Sequence, residues 1–284
     1  MTLYLGFFAT NFTLFRLNAR RGHKFIISFF LAWYCMTRVL ACTLRIVWAT
    51  RPHDVSVGIA ANIFAGLGVL LVYIFNLLFA QRILRALHPA IGWHPMVRAL
   101  YKAKYALLIC TVVLLVSMTV LEFYTLDRHT LSVCAWVLRG AIVFIFVLAA
   151  SPLVVLAICF TVPVSQEVHH FGEGSMVSRV CALLLTTIFC TIIAGFKVGT
   201  GWSTPRPATD PAWYDSKACF YIFNFTFEIL TLSVFLLSRV DKRFHVPDGS
   251  SKRKTYLVQK DEVDIERQQS EDSVDPEKLA APSV

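Results

Sequence analysis

Charge is scarce in this chain. Only 16% of its 284 residues are Asp, Glu, Lys or Arg, where ordinary globular chains carry about a quarter. That shortage, with 56% hydrophobic residues and a mean hydropathy of +0.61, argues against a soluble enzyme. Glycine (13) and proline (11) are too few for a collagen-like chain. Signatures of soluble enzymes are missing as well: there is no glycine-rich phosphate loop, no H-E-x-x-H, no paired C-x-x-C and no G-x-S-x-G elbow. No catalytic residue, cofactor or metal is therefore expected, and the chain reads as a non-enzyme. What the chain has instead is apolar surface, including 23 phenylalanines that must be buried in protein or lipid.

That surface comes in membrane-length runs. About 20 apolar residues in a helix cross the ~30 Å of bilayer hydrocarbon. Six runs qualify, over Phe25 to Trp48, Val57 to Ala80, Ala103 to Tyr124, Leu131 to Val162, Val177 to Val198 and Ser216 to Ser238. A seventh, Met1 to Asn18, is short enough to span only marginally, as a helix that begins outside this sequence would also be. It lacks the basic start and small-residue cleavage site of a signal peptide. The expected fold is all-α, a transmembrane bundle of seven helices with six as the alternative.

Orientation follows from Lys and Arg, which accumulate on cytoplasmic flanks. One face carries sixteen of them, including Arg16, Arg20, Arg21, Lys24, Arg82, Arg85, Arg98, Lys102 and Lys104, and the other carries six. The N-terminus is thus expected outside and the C-terminus in the cytoplasm. Trp48, Trp136, Trp202 and Trp213 fall near outer ends, where indole rings favour the headgroup level. The outer loop 199–215, with three prolines and two tryptophans, is expected to be a stiff cover over the bundle.

Residues 1–238 form the expected transmembrane domain and 239–284 a cytoplasmic tail. The tail opens with Arg239, Lys242, Arg243, Lys252, Arg253 and Lys254, a cluster suited to anionic inner-leaflet lipid, and continues into an acidic stretch expected to be disordered. Ser270 and Ser273 beside acidic residues are weak phosphorylation candidates. The +9 net charge is inside-face bias rather than a nucleic-acid footprint. The expected partners are the bilayer and a cytoplasmic signalling protein.

The informative residues are polar groups within the spans, which are costly in hydrocarbon and seek partners. Arg38 lies at the middle of the second span with Arg45 two turns on, Glu228 at the middle of the last span, and Glu122 at the outer end of the fourth. Depth matching proposes the pairs Arg38 with Glu228 and Arg45 with Glu122. Asn62, Asn76 and Asn224 extend this polar seam. The seam reads either as a lock between helices or as the lining of a cavity for a ligand or transported headgroup.

Other features carry less. His169 and His170 with Glu167 and Glu173 share a loop, but adjacent histidines point apart. Cys134 and Cys219 both fall near outer ends, so a disulfide between them is an open expectation. Asn11 and Asn224 begin glycosylation patterns inside apolar segments, where they are out of reach. Gly195 and Gly199 form a small-residue helix contact.

The strings CTLRIVWATRP (42–52), NLLFAQRILRALHP (76–89), CFYIFNFTFEIL (219–230) and RVDKRFHVPDGS (239–250) resemble a fungal family of seven-span membrane proteins of uncharacterised function, often labelled family-C-like receptors. The layout is also loosely similar to fungal lipid-translocating, stress-resistance proteins of the RTA type. The resemblance implies a receptor-like sensor of unknown ligand in the plasma membrane or secretory pathway, with a lipid or amphiphile exporter as the alternative. The chain departs from a family-C receptor in having almost no residues before its first apolar segment, and it lacks the D/E-R-Y and N-P-x-x-Y strings of rhodopsin-like receptors.

Overall fold

A computed structural model describes residues 1–20, 25–51, 53–163, 172, 174–204 and 210–246. Those residues are predominantly helical, with no strand among them. The order is α1 (Thr2–Arg20), α2 (Ile26–Thr50), α3 (Val55–Leu67), α4 (Leu70–Leu87), α5 (Pro89–Gly92), α6 (Pro95–Tyr124), α7 (Arg128–Thr161), α8 (Met176–Trp202), α9 (Lys217–Tyr221), a π-helical turn (Ile222–Thr226), α10 (Phe227–Leu237) and α11 (Val240–Arg243). α3 with α4, and α9 with the π turn and α10, each form one interrupted span. Six spans are long and apolar enough to cross a bilayer.

α1 completes the bundle as a seventh helix. It packs against α2 and α10, with Tyr4 meeting Phe225 and Glu228 while Asn18 meets Asp241. It therefore runs parallel to the last span, as first and seventh helices must in an alternating bundle, and covers that span from the depth of Glu228 inward.

Helix starts are written in the sequence. Asp127 caps α7 by accepting from the amides of His129 and Thr130, Ser175 caps α8, and Ser216 caps α9. Pro89 and Pro95 open α5 and α6 where an amide would be unpaired anyway. Pro152 lies inside α7, and the Leu148 carbonyl it leaves without an amide accepts from the Ser151 hydroxyl at 2.8 Å.

The outer faces of the helices are greasy. Ile109, Val113, Val147, Val154 and Phe160 are all at least 59% exposed. In water such a belt would drive aggregation, and in lipid it is the solvated surface. The interior is filled at the inner end by Phe79, Phe235 and Phe244, with Phe79 stacked on Phe244 at 4.3 Å.

Packing refines several expectations. Gly195 abuts Phe146 of α7, whereas Gly199 faces open space and Gly201 makes the close approach, to Ile142. All eight cysteines are free, so Cys134 and Cys219 form no disulfide: Cys134 is buried in α7, whose neighbours are α8, α4 and α6 rather than α9. Trp136 and Trp202 meet edge to face at one end of the bundle, with Arg139 beside both rings. The folded unit also runs past Ser238, because Val240, Asp241 and Phe244 are buried beneath the bundle. The 164–170 histidine loop and the tail from residue 247, including Lys252, Arg253, Lys254, Ser270 and Ser273, lie outside the described residues.

Candidate functional site

Arg38 is the natural starting point, since it cannot lose its charge and sits 1% exposed at the middle of α2. Its guanidinium pairs with Glu228, which is equally buried, in the ion pair that depth matching proposes. One Nη also donates to the carbonyls of Phe64 at 3.1 Å and Ala65 at 3.0 Å, and Nε lies 3.4 Å from the Tyr34 hydroxyl. Glu228 in turn accepts from Tyr34 at 2.8 Å and Tyr4 at 3.2 Å. One buried node thus ties α1, α2, α3 and α10 together.

Two interruptions in the helices make this node possible. α3 stops at Leu67 and α4 begins at Leu70, so the carbonyls of Ala65 and Gly66 point at side chains instead of the amides a continuous helix would supply. Arg38 takes the first, and Lys197 takes the second at 3.3 Å. Gly68 is required by space, for a Cβ there would stand 2.9 Å from Arg38 Cζ. In the last span the π turn frees further carbonyls, and Asn224 answers by donating to Phe220 at 3.0 Å. Phe225, within that turn, sets its ring 5.7 Å from the Arg38 guanidinium and edge-on to Tyr4.

Beyond the node, toward the Trp136, Trp202 and Tyr214 end, lies a cavity of about 390 Å³. Arg45, Asn62, Lys197, Phe220, Asn224 and Asp215 line it, and Ala65 and Gly66 form part of its wall. The expected pair of Arg45 with Glu122 does not form. Glu122 is exposed at the end of α6, while Arg45 lays its guanidinium 3.9 Å above the Phe220 ring. Similar depth does not imply the same side of a bundle. A second, largely apolar cavity of about 130 Å³ adjoins the first between α3, α4, α6, α7 and α8, sharing Asn62, Gly66 and Lys197 with it.

Asn76 belongs to neither cavity. It is fully buried deeper in the bundle, accepting from Thr186 at 3.0 Å and donating to Cys190 at 3.3 Å, a lock between α4 and α8. The basic cluster divides similarly. Arg239 holds a left-handed backbone conformation and pairs with Asp241, while Lys242 and Arg243 are half-buried on the docked α11. Burial acts to raise the Asp241 pKa, but hydrogen bonds from Arg239 and Asn18 outweigh it and hold the carboxyl below its usual range.

Sequence reading missed Tyr4, Tyr34, Gly68 and Lys197. Tyr34 had a signal, being one turn before Arg38 on the same helix face. Lys197 stands at the edge of an apolar run and reads as an outer flank; only the break after Leu67 shows what it faces.

A family model matches this half of the site. The family, described as a protein of unknown function, DUF3112, matches residues 175–245, which hold Lys197, Asn224, Glu228 and Asp241. No curated protein and no solved structure matches the chain.

Proposed function

We propose that this multi-pass membrane protein is a non-enzymatic, receptor-like sensor in the plasma membrane or secretory pathway, in which a ligand in the outer cavity acts on the Arg38–Glu228 node and a cytoplasmic partner reads the inner end. One observation carries the reading: the α3 segment that walls the cavity, Ala65 and Gly66, also supplies carbonyls to Arg38 and Lys197. A ligand that shifts this segment must re-pair a buried charge, and a buried ion pair has few satisfactory arrangements. The cavity is also backed by packed side chains. Leu77, Phe79, Ile83, Leu183, Leu232 and Phe235 fill the space inward of the node, which suits a sensor better than a passage for lipid or amphiphile.

The test uses spin labels at Leu100→Cys on α6 and Val177→Cys on α8, both exposed, with Cys110 and Cys181 replaced by serine. A sensor should show a changed inner-end distance distribution in Glu228→Gln while keeping its helix content. Unchanged distances in a folded Glu228→Gln protein would reduce the node to a strut, and lipid flux in reconstituted vesicles, abolished by Arg38→Leu, would install the exporter reading in its place.

A further inference from the structure

The two cavities differ in chemistry, and that difference specifies a ligand. The larger one holds two cations, Arg45 and Lys197, and one anion, Asp215. Among the described residues Arg45 makes no hydrogen bond or ion pair; its Nε is shut away from solvent and its guanidinium lies against the face of Phe220. A guanidinium keeps its charge at any ordinary pH, and an aromatic face leaves its planar fork of donors unused. Lys197, half-buried nearby, has one carbonyl at 3.3 Å for three donors. Asp215 accepts from the Ala212 amide at 3.2 Å, capping the short 3-10 turn Trp213–Asp215, whose Tyr214 and Asp215 line the cavity. Among the described residues the wall therefore presents a surplus of one positive charge and a guanidinium whose donors are not all taken.

The adjoining cavity offers the opposite surroundings. Ile63, Leu70, Leu115, Val116, Ile142 and Ile145 line it, and its roughly 130 Å³ is close to the ~150 Å³ apolar cavity that holds benzene. Lys197, Asn62 and Gly66 stand at the junction, so an anion there would have its carbon-bound end against the apolar cavity. We infer that the site binds an amphiphilic organic monoanion, a carboxylate with a compact hydrocarbon body, its headgroup on Arg45 and Lys197 and its body in the apolar cavity. A single charge is specified because a dianion such as a phosphate monoester would overfill a wall whose surplus is one.

The inference gives the proposed sensor its ligand class and rests on that reading, but the two fail separately. The probe is labelled octanoate, measured by equilibrium dialysis against the purified full chain in non-ionic detergent. Saturable binding at one site is expected, displaced by unlabelled octanoate but not by octan-1-ol, acetate or inorganic phosphate at equal concentration. Arg45→Gln and Lys197→Gln should each weaken binding on the order of tenfold or more, and Arg45→Lys, which keeps the charge and loses the fork, by less. Thr119→Phe, which fills the apolar cavity from α6, should also weaken it. Should Arg45→Gln not fold, Arg45→Lys and Lys197→Gln decide the matter. Unchanged octanoate affinity in folded Arg45 and Lys197 variants overturns the assignment, as does displacement by octan-1-ol, which would mean the charge is not read, or by phosphate, which would mean the hydrocarbon is not. Octanoate binding that leaves the α6–α8 distances unmoved would defeat the sensor and spare the ligand class. A distance change in Glu228→Gln with no octanoate binding would do the reverse.

Discussion

Arg38 and Glu228 are each unaffordable alone at their depth, and this asymmetry gives the sharpest residue-scale expectation. Arg38→Leu leaves a carboxylate buried with only two tyrosine hydroxyls, Tyr4 and Tyr34, to hold it. Removing one partner of a buried pair typically costs about 3–5 kcal/mol, while replacing both with apolar residues is often close to neutral. Arg38→Leu should therefore lower thermal stability in detergent strongly, and Arg38→Leu/Glu228→Leu should recover most of it. A double variant as unstable as the single would show that the Ala65 carbonyl, left without the Arg38 donor, matters more than the carboxylate. At the other end of the molecule Asp241 carries a proton-linked expectation. Its folded pKa is depressed, so its contribution is present above about pH 4 and is lost as pH falls through the lower folded value. Hydrogen exchange of Val240–Phe244 should accelerate as pH drops through that window in the wild type, after correction for intrinsic rates. Asp241→Asn should remove the dependence.

At the scale of elements, the two glycines on either side of Leu67 make a controlled comparison. Gly66→Ala meets nothing within 4 Å and replaces a poor helix former, so it should be neutral or stabilising by up to about 1 kcal/mol. Gly68→Ala drives a Cβ to 2.9 Å from Arg38 Cζ and should cost stability, in the range of ~1–3 kcal/mol typical of overpacking. Melting temperatures of the two variants settle this; equal shifts would mean that the α3–α4 break can relax around the guanidinium. These elements also show what sequence could and could not convey. The Arg38–Glu228 pair was legible because each residue stands at the centre of an apolar run, where depth is a count of residues. The third and seventh spans, by contrast, read as continuous helices over Val57 to Ala80 and Ser216 to Ser238. Nothing local distinguishes Gly68 from the harmless Gly66, and a π turn has no compositional mark. Arg45 was misassigned to Glu122 for a related reason: counting along a helix gives height in the membrane but not azimuth, and azimuth decides who meets whom. Lys197 illustrates the same limit, since its role depends on a carbonyl freed in another span.

For the whole molecule the decisive quantity is topology, because cavity, node and basic inner end acquire meaning only once their sides are fixed. On the sixteen-to-six bias of Lys and Arg, the Tyr214 end of the larger cavity is expected outside. In the fold α1 runs parallel to α10 between the depths of Glu228 and Asp241, so Arg16 and Arg20 lie toward the same end of the bundle as Arg239, as that bias expects. Two exposed positions discriminate. Leu126, 95% exposed between α6 and α7, belongs to the expected outer face, and Met96, 74% exposed at the start of α6, to the inner. With Cys110 and Cys181 replaced by serine, a membrane-impermeant maleimide applied to intact cells should label Leu126→Cys at once and Met96→Cys only after permeabilisation. The inverted pattern would turn the cavity toward the cytoplasm. It would also leave the docked α11 facing outward, which removes any inner partner from contact with the end of the bundle and makes the Arg45–Lys197 cavity a site for a cytoplasmic anion. Labelling of both positions in intact cells would instead mean that α6 does not cross the bilayer, contrary to its 30 residues and apolar composition.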